Sequence, residues 1–241
     1  NVGSESSPMA VFVKGAINET DPDEQVHDLV SRQVPEVALP EVVRTQFLDS
    51  AQANNNSVYS SDLELSDDSN INFGNFDYVG KPNGQTADLT VDGVVYIDGD
   101  LTISKKDIEY FHTTTPNKAT IFVNGKMIIE SQILSNATYP TDSVLAFVNE
   151  DRAGIDDDIF VDVQGGKTKK IKAFLYSGGR ITINKQITIN GTIMATWLQL
   201  NQVPNLIAPS ESAKDNFPTL FPGKDLAFLI TANWREVTVA P

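Results

Sequence analysis

A short phrase of alternating apolar residues around a glycine recurs along this chain. Five copies are visible, at residues 12–18, 96–103, 121–129, 175–183 and 187–195. Apolar residues at every second position are typical of a strand with one buried face. One such unit cannot bury that face alone, so the copies are expected to stack. We therefore predict a mainly β fold, a right-handed parallel β-solenoid.

Each copy carries a glycine at a similar place, which indicates a bend or a close approach to a neighbouring coil where a Cβ atom would not fit. These structural glycines are Gly15, Gly99, Gly125, Gly179 and Gly191. Gly125 follows Gly99 by 26 residues, and Gly179 follows Gly125 by 54. Because the second interval is close to twice the first, we expect a coil without the glycine between them, with Val144–Val148 as its strand.

The chain divides into three parts by pattern. Residues 1–57 hold a first strand and a helical, proline-containing segment, residues 58–200 form the solenoid, and residues 201–241 pack on it as an irregular C-terminal cap. Apolar spacing predicts helices over 22–34 and 41–53. In the second helix, Val43, Phe47 and Ala51 share one face, and in the cap, Phe217, Phe221 and Trp234 are the candidates for packing.

Charge and cysteine content exclude several classes of function. Eighteen Lys and Arg against 32 Asp and Glu give a net charge of −14, which disfavours binding to nucleic acid or to anionic lipid. The one dense basic run is interpreted as a solvated strand edge; it comprises Lys167, Lys169, Lys170 and Lys172. The absence of cysteine removes disulfides, thiolate catalysis and cysteine-based metal sites.

No apolar run approaches the roughly 20 residues of a membrane span, and no signal peptide is recognisable. The first residue is Asn1 rather than Met, so we expect a processed or truncated form whose only membrane contact would be a preceding helix.

The catalytic patterns that can be tested all fail, and we predict that the chain is not an enzyme. The two histidines, His27 and His112, lie in unrelated regions, and His112 is interpreted as a loop or surface residue. The segment 165–168 resembles the end of a phosphate-binding loop, but Val161 stands where that loop needs a glycine, and a strand follows. No Gly-x-Ser-x-Gly nucleophile motif occurs.

Two acidic clusters could bind calcium through hard oxygen ligands. The first comprises Asp62, Glu64, Asp67 and Asp68 with Asn70, and the second surrounds Asn149. We predict a calcium site in the second, with no other cofactor; its ligands would be Glu150, Asp151, Asp156, Asp157 and Asp158. The alternative interpretation of both clusters is exposed turns.

The chain resembles the extracellular region of PilX-like minor pilins of bacterial type IV pili. The resemblance lies in Val95–Ile103, Ile121–Ile129 and Ala173–Ala195, together with the segments Met9–Gly15 and Asn233–Val237. It implies a non-enzymatic component of a pilus or pseudopilus, displayed at the cell surface or in the periplasm. Its partners would be other pilin subunits or a surface ligand, either glycan or protein, and its role would be adhesion or tip assembly.

Two other functions stay open at this point. One is a carbohydrate-binding or carbohydrate-active β-helix, which would need a row of aromatic or acidic side chains along one outer face. The other is a polymer-forming solenoid of cytoskeletal type.

Overall fold

The computed structural model describes residues 11–12, 30–31, 40–81, 86–150, 158–202, 204–207 and 216–222. The chain divides into two compact units, one made of residues 1–38 and 228–241 and the other of residues 39–227. In the first unit, strand β1 (Val11–Phe12) pairs in parallel with β2 (Val30–Ser31). The helix predicted over 22–34 is therefore wrong at residues 30–31, where β-branched Val30 favours an extended backbone. The rest of that segment lies outside the described residues.

The second unit begins with helix α1 (Arg44–Ala53) and is otherwise built mainly from strands. The strands are β3 (Val58–Tyr59), β4 (Leu63–Leu65), β5 (Asn70–Phe73), β6 (Phe76–Val79), β7 (Ala87–Val91), β8 (Gly93–Ile97), β9 (Leu101–Ile103), β10 (Ile108–Phe111), β11 (Lys118–Val123), β12 (Met127–Ile129), β13 (Ile133–Ser135), β14 (Val144–Asn149), β15 (Ile159–Val161), β16 (Lys170–Ile171), β17 (Phe174–Ile183), β18 (Thr188–Asn190), β19 (Ile193–Leu200) and β20 (Asn205–Ile207). Among the described residues, no helix is long and apolar enough to cross a membrane.

These strands pair in parallel along three columns, and the chain visits the columns in the same order on each passage. The first column contains β3, β8, β11, β14 and the first part of β17. The second contains β4, β9, β12, β15 and the last part of β17. The third contains β7, β10, β13, β16, β18 and β20, extended at one end by the antiparallel hairpin β5–β6. The predicted mainly β class is confirmed.

In the first column, strands β8, β11 and β14 pair residues that are 26 apart in the sequence, which is the interval between Gly99 and Gly125. Ile121 of β11 lies beside Val95 of β8 on one side and Phe147 of β14 on the other. Side chains at the ends of these strands also bond one interval apart, as in the 2.7 Å hydrogen bond from Asn124 to Asp98, 26 residues earlier. Strand β14 stands between β11 and β17, which confirms the expected strand over Val144–Val148.

Both faces of the first column are buried, which explains why its strands are apolar at almost every position. One set of side chains, such as Val95 and Ile121, joins a large inner core shared by all three columns. The alternate set joins a second cluster on the outer face; it includes Tyr96, Phe122, Phe174 and Tyr176. A strand buried on both faces loses the polar alternation of a half-exposed strand.

Helix α1 and residues 216–222 cover the outer face of the first column. The ring of Phe47 stacks on Phe122 with centroids 4.7 Å apart, and Phe221 packs edge-on against Phe174 at 5.4 Å. The helix predicted over 41–53 is confirmed with Phe47 and Ala51 buried. Val43 was placed on its apolar face wrongly: it precedes the helix as the N-cap residue and is 39% exposed.

Three of the repeated glycines lie where an added Cβ atom would collide with a neighbouring segment of the chain. A Cβ atom at Gly125 would lie 2.5 Å from the carbonyl oxygen of Gly99, and one at Gly99 would lie 2.6 Å from the amide nitrogen of Asp62. A Cβ atom at Gly191 would likewise collide with the carbonyl oxygen of Ala173. Gly179 lies at a bulge in β17 and donates its amide to Ser177 at 3.0 Å. Gly15 is outside the described residues.

Replacement of Gly125 by alanine should destabilise the protein by about 3 kcal/mol, since the new Cβ would meet the backbone of Gly99, which cannot move aside cheaply, and the Asp100 carboxylate that accepts the amide of Lys126. The measurement is the free energy of unfolding in urea. Gly166→Ala is the matched control: no atom lies within 4 Å of its Cβ, and its φ of +74° carries only the left-handed penalty of about 1 kcal/mol. Equal losses for the two variants would contradict the crowding argument.

Candidate functional site

A polar cleft of about 400 Å³ lies where the second column turns into the third. Three successive corners contribute to it: the turn after β9, the turn after β12 and the longer connection after β15. Its lining residues are Lys105, Asp107, Glu130, Ser131, Asp162, Val163, Gln164 and Lys169.

Backbone hydrogen bonds stack these corners on one another. The amide of Glu130 donates to Ile103 at 2.8 Å, and the amide of Asp162 donates to Ile129 at 2.8 Å. Lys105 adopts a φ of +63° in the first corner. In the last corner, Gly165 and Gly166 have φ values of +112° and +74°, which allow the short 3-10 turn Gly166–Thr168 before Lys169.

Asp107 is held as a structural acceptor on one side of the cleft. It accepts hydrogen bonds from the Gln132 amide at 3.0 Å and from the Gln132 side chain at 2.8 Å, and it forms a 3.0 Å ion pair with Lys169. Burial alone would raise the pKa of Asp107, but the bonds from Gln132 and Lys169 outweigh it and leave the pKa below its ordinary value. Asp107 is therefore anionic at neutral pH and unsuited to serve as a general acid.

Asp162 on the other side of the cleft is engaged in the same way. Its carboxylate accepts from Asn184 at 2.7 Å and from Gln164 at 3.3 Å, with the ammonium group of Lys185 at 3.8 Å. Glu130 is exposed at the rim. The cleft thus presents carboxylates, ammonium groups, a hydroxyl and an amide, a mixture suited to hydrogen-bonding a small polar molecule.

Sequence reasoning missed this cleft, although a signal for it existed. Asp107 and Gln132 are 25 residues apart and meet because that distance is close to one repeat. A search for polar residues about one glycine interval apart would have paired Asp107 with Gln132.

The basic run was interpreted wrongly as a strand edge. Strand β16 contains Lys170 and lies between β13 and β18, so it is an interior strand. Lys169 is paired with Asp107, and Lys170 is exposed. The segment 165–168 forms a 3-10 turn before a strand, consistent with the rejection of a phosphate-binding loop.

The side chain of His112 is buried, so its interpretation as a surface residue was wrong, while the expected loop is confirmed directly after β10. Its side chain is 1% exposed, with Nδ1 at the carbonyl of Val91 and 3.8 Å from the carboxylate of Asp92. That carboxylate in turn accepts the backbone and hydroxyl donors of Thr113 and Thr114. The group holds the chain end of β10 against β7. His27 lies outside the described residues.

In both acidic clusters, some of the carboxylates accept hydrogen bonds within the fold. In the first, Asp62 accepts the amide of Asp100 at 2.9 Å and Glu64 accepts the hydroxyl of Ser104 at 3.2 Å. In the second, Asp158 is buried and accepts from Ser177 and from the amide of Arg180, both at 2.8 Å. Of its other proposed ligands, Glu150 is described, whereas Asp151, Asp156 and Asp157 are not. Calcium binding stays a prediction.

The outward side chains of the second column do not form the row that a polysaccharide-cleaving β-helix would need. From one end of the column to the other they are Glu64, Thr102, Ile128, Phe160, Thr182 and Gln199. This series contains one carboxylate and one aromatic ring. It is neither an acidic nor an aromatic row.

No protein-family model matches the chain, and no significant match is found among the curated proteins or the solved structures. The resemblance to minor pilins therefore rests on the short motifs alone.

Acid should destabilise the protein through His112. Burial lowers its pKa below the ordinary 6.5, and the opposing effects of Val91 and Asp92 do not outweigh burial. Between the two pKa values the unfolded state binds a proton that the folded state does not, so the free energy of unfolding falls as the pH drops below about 6.5. His112→Gln should flatten this slope in urea unfolding measured across pH 5–7. The same slope in both proteins would contradict the assignment.

Proposed function

We propose that the chain is a right-handed parallel β-solenoid that serves as a non-enzymatic, exported structural and binding module. The observation that carries the proposal is the register, in which strands one repeat apart pair along three columns. The right hand follows from the strong preference of parallel crossover connections for that sense. A stack of this kind is stiff along its axis and presents its corners to solvent.

The use of its polar residues supports a non-enzymatic role. Asp92, Asp107 and Asp158 all accept backbone amides, and the pKa of both Asp92 and Asp107 is lowered. At Asp92, burial favours the protonated form but is outweighed by the donors of Thr113 and Thr114. A general acid needs a raised pKa, whereas Asp92 and Asp107 are held ionised as acceptors.

Within that class we propose a minor component of a type IV pilus or pseudopilus at the cell surface, acting in adhesion or tip assembly. The support is the motif resemblance of Val95–Ile103, Ile121–Ile129 and Ala173–Ala195, since these segments supply strands of the stack. Immunogold labelling of intact host cells with antibody against this chain should decorate the pili or the cell surface. Label confined to the cytoplasm of sectioned cells would overturn the pilus assignment.

The cleft favours carbohydrate binding as a second candidate. Its volume of about 400 Å³ suits a small saccharide, and its carboxylates and ammonium groups can accept from and donate to hydroxyl groups. Of its three carboxylates, Glu130 is the exposed one, at the rim.

Saccharide binding should therefore depend on Glu130. A saccharide identified on a glycan array should bind the Glu130→Gln variant about tenfold more weakly in calorimetry, the effect of losing a hydrogen bond to a charged group. Glu41→Gln is the matched control, because Glu41 is an exposed carboxylate just before α1 and does not line the cleft. Absence of any array signal, or equal binding by both variants, would remove this candidate.

A further inference from the structure

The two ends of the strand stack differ, and the difference begins with hydrogen bonding at the first layer. In β3 the amide of Val58, on the side away from β8, already bonds the carbonyl of Asn56 at 2.8 Å. In β4 the carbonyl of Glu64 accepts the hydroxyl of Ser69 at 3.2 Å. Local turns thus bond an outward group of β3 and of β4, whereas β5 ends the third column as an edge strand with no described strand beyond it.

The last layer, formed by β19 and β20, is open among the described residues. The eight-residue strand β19 pairs with β17 on one side, β20 pairs with β18 on one side, and no described strand lies on the other side of either. Such an edge presents unpaired amides and carbonyls that can bond another strand.

The inner core also ends uncovered in this layer. Leu198 stacks on buried Ile181, and Leu200 stacks on buried Ile183, yet Leu198 is 36% exposed. In the same layer, Trp197 of β19 is 62% exposed and Ile207 of β20 is 43% exposed. The described large apolar residues with the greatest exposure are therefore concentrated on β19 and β20.

Charge changes at the same place. None of the 32 acidic residues lies between residues 163 and 210, and residues 186–210 carry no charged residue at all. Natural edge strands are usually protected by charged side chains or proline, and β19 has neither. Contact between other acidic surfaces of a chain of charge −14 would be repulsive, whereas this end can meet its own copy without that penalty.

Two cations in the layers beneath lie beside carboxylates, and a third lies over an aromatic ring. Lys169 is paired with Asp107 at 3.0 Å, the ammonium group of Lys185 is 3.8 Å from Asp162, and the guanidinium of Arg180 lies 5.9 Å from the ring centre of Trp197. These three cations therefore oppose self-association weakly, whereas Lys170 is exposed.

We propose that the last layer is a self-association surface on which a second copy of this chain docks end to end. The two β19 strands pair antiparallel about a two-fold axis at Leu198, and the two apolar ends cover one another. A two-fold contact uses the same surface of both copies, so it closes on itself and assembly stops at a dimer.

Sedimentation equilibrium of the full chain tests the proposal. The expected mass is twice the 26.3 kDa of one chain, decreasing towards the monomer on dilution. A mass of one chain at every concentration would overturn the proposal, and so would assemblies that grow without limit.

Leu198→Lys should abolish the dimer, because it places a charge in the centre of the buried contact. Val79→Lys is the matched control: Val79 is 40% exposed on β6 outside the last layer, and this variant should remain dimeric. A dimer undiminished in Leu198→Lys would contradict the assignment of the surface.

A charge exchange separates association from misfolding. Leu198→Lys and Leu198→Glu should each be monomeric, and their mixture should regain the dimer as opposite charges face each other. Failure of the mixture to associate, with both variants showing the wild-type thermal melt, would overturn the two-fold contact.

Discussion

Backbone hydrogen bonds between strands one repeat apart are the constraint on which the rest of this structure depends. Ile121 is fixed beside both Val95 and Phe147, and the bonding continues past the strand ends, as from Asn124 to Ile97 at 2.9 Å. Because side chains alternate between faces, a slip of one residue would exchange the inner and outer sets. In the first column both sets are buried, so such a slip would misplace two cores at once.

At the corners, side chains rather than neighbouring strands make the hydrogen bonds from one layer to the next. Asp62 accepts the amide of Asp100, and Asp100 accepts the amide of Lys126, one layer further along. Asp107 does the same for Gln132. A corner leaves amides outside the ladder of strand bonds, and a short carboxylate can satisfy them from the next layer. Several of the chain's acidic residues are therefore part of its scaffold, and this limits how many are available for chemistry.

The repeating strands could be predicted from the sequence, whereas the burial of His112 and the polar cleft could not. The interval between Gly99 and Gly125 reports the length of one passage around the columns, and that length also predicts the strand at Val144–Val148. His112 gave no such signal: its burial depends on Val91 and Asp92 of the preceding layer, which a local pattern does not reveal. The cleft was missed for a related reason, since Asp107, Glu130 and Asp162 belong to three corners of unequal length.

A stack built on one repeating register has no internal reason to stop, so its ends must be specified separately. At the first layer, local turns through Asn56 and Ser69 bond an outward group of β3 and of β4. At the last layer the sequence instead loses its charges, and Trp197 and Leu198 stand exposed on an edge strand. Charged side chains and proline are usual means of blocking an edge. Both are absent from β19, which supports the proposal that this end is a surface for self-association.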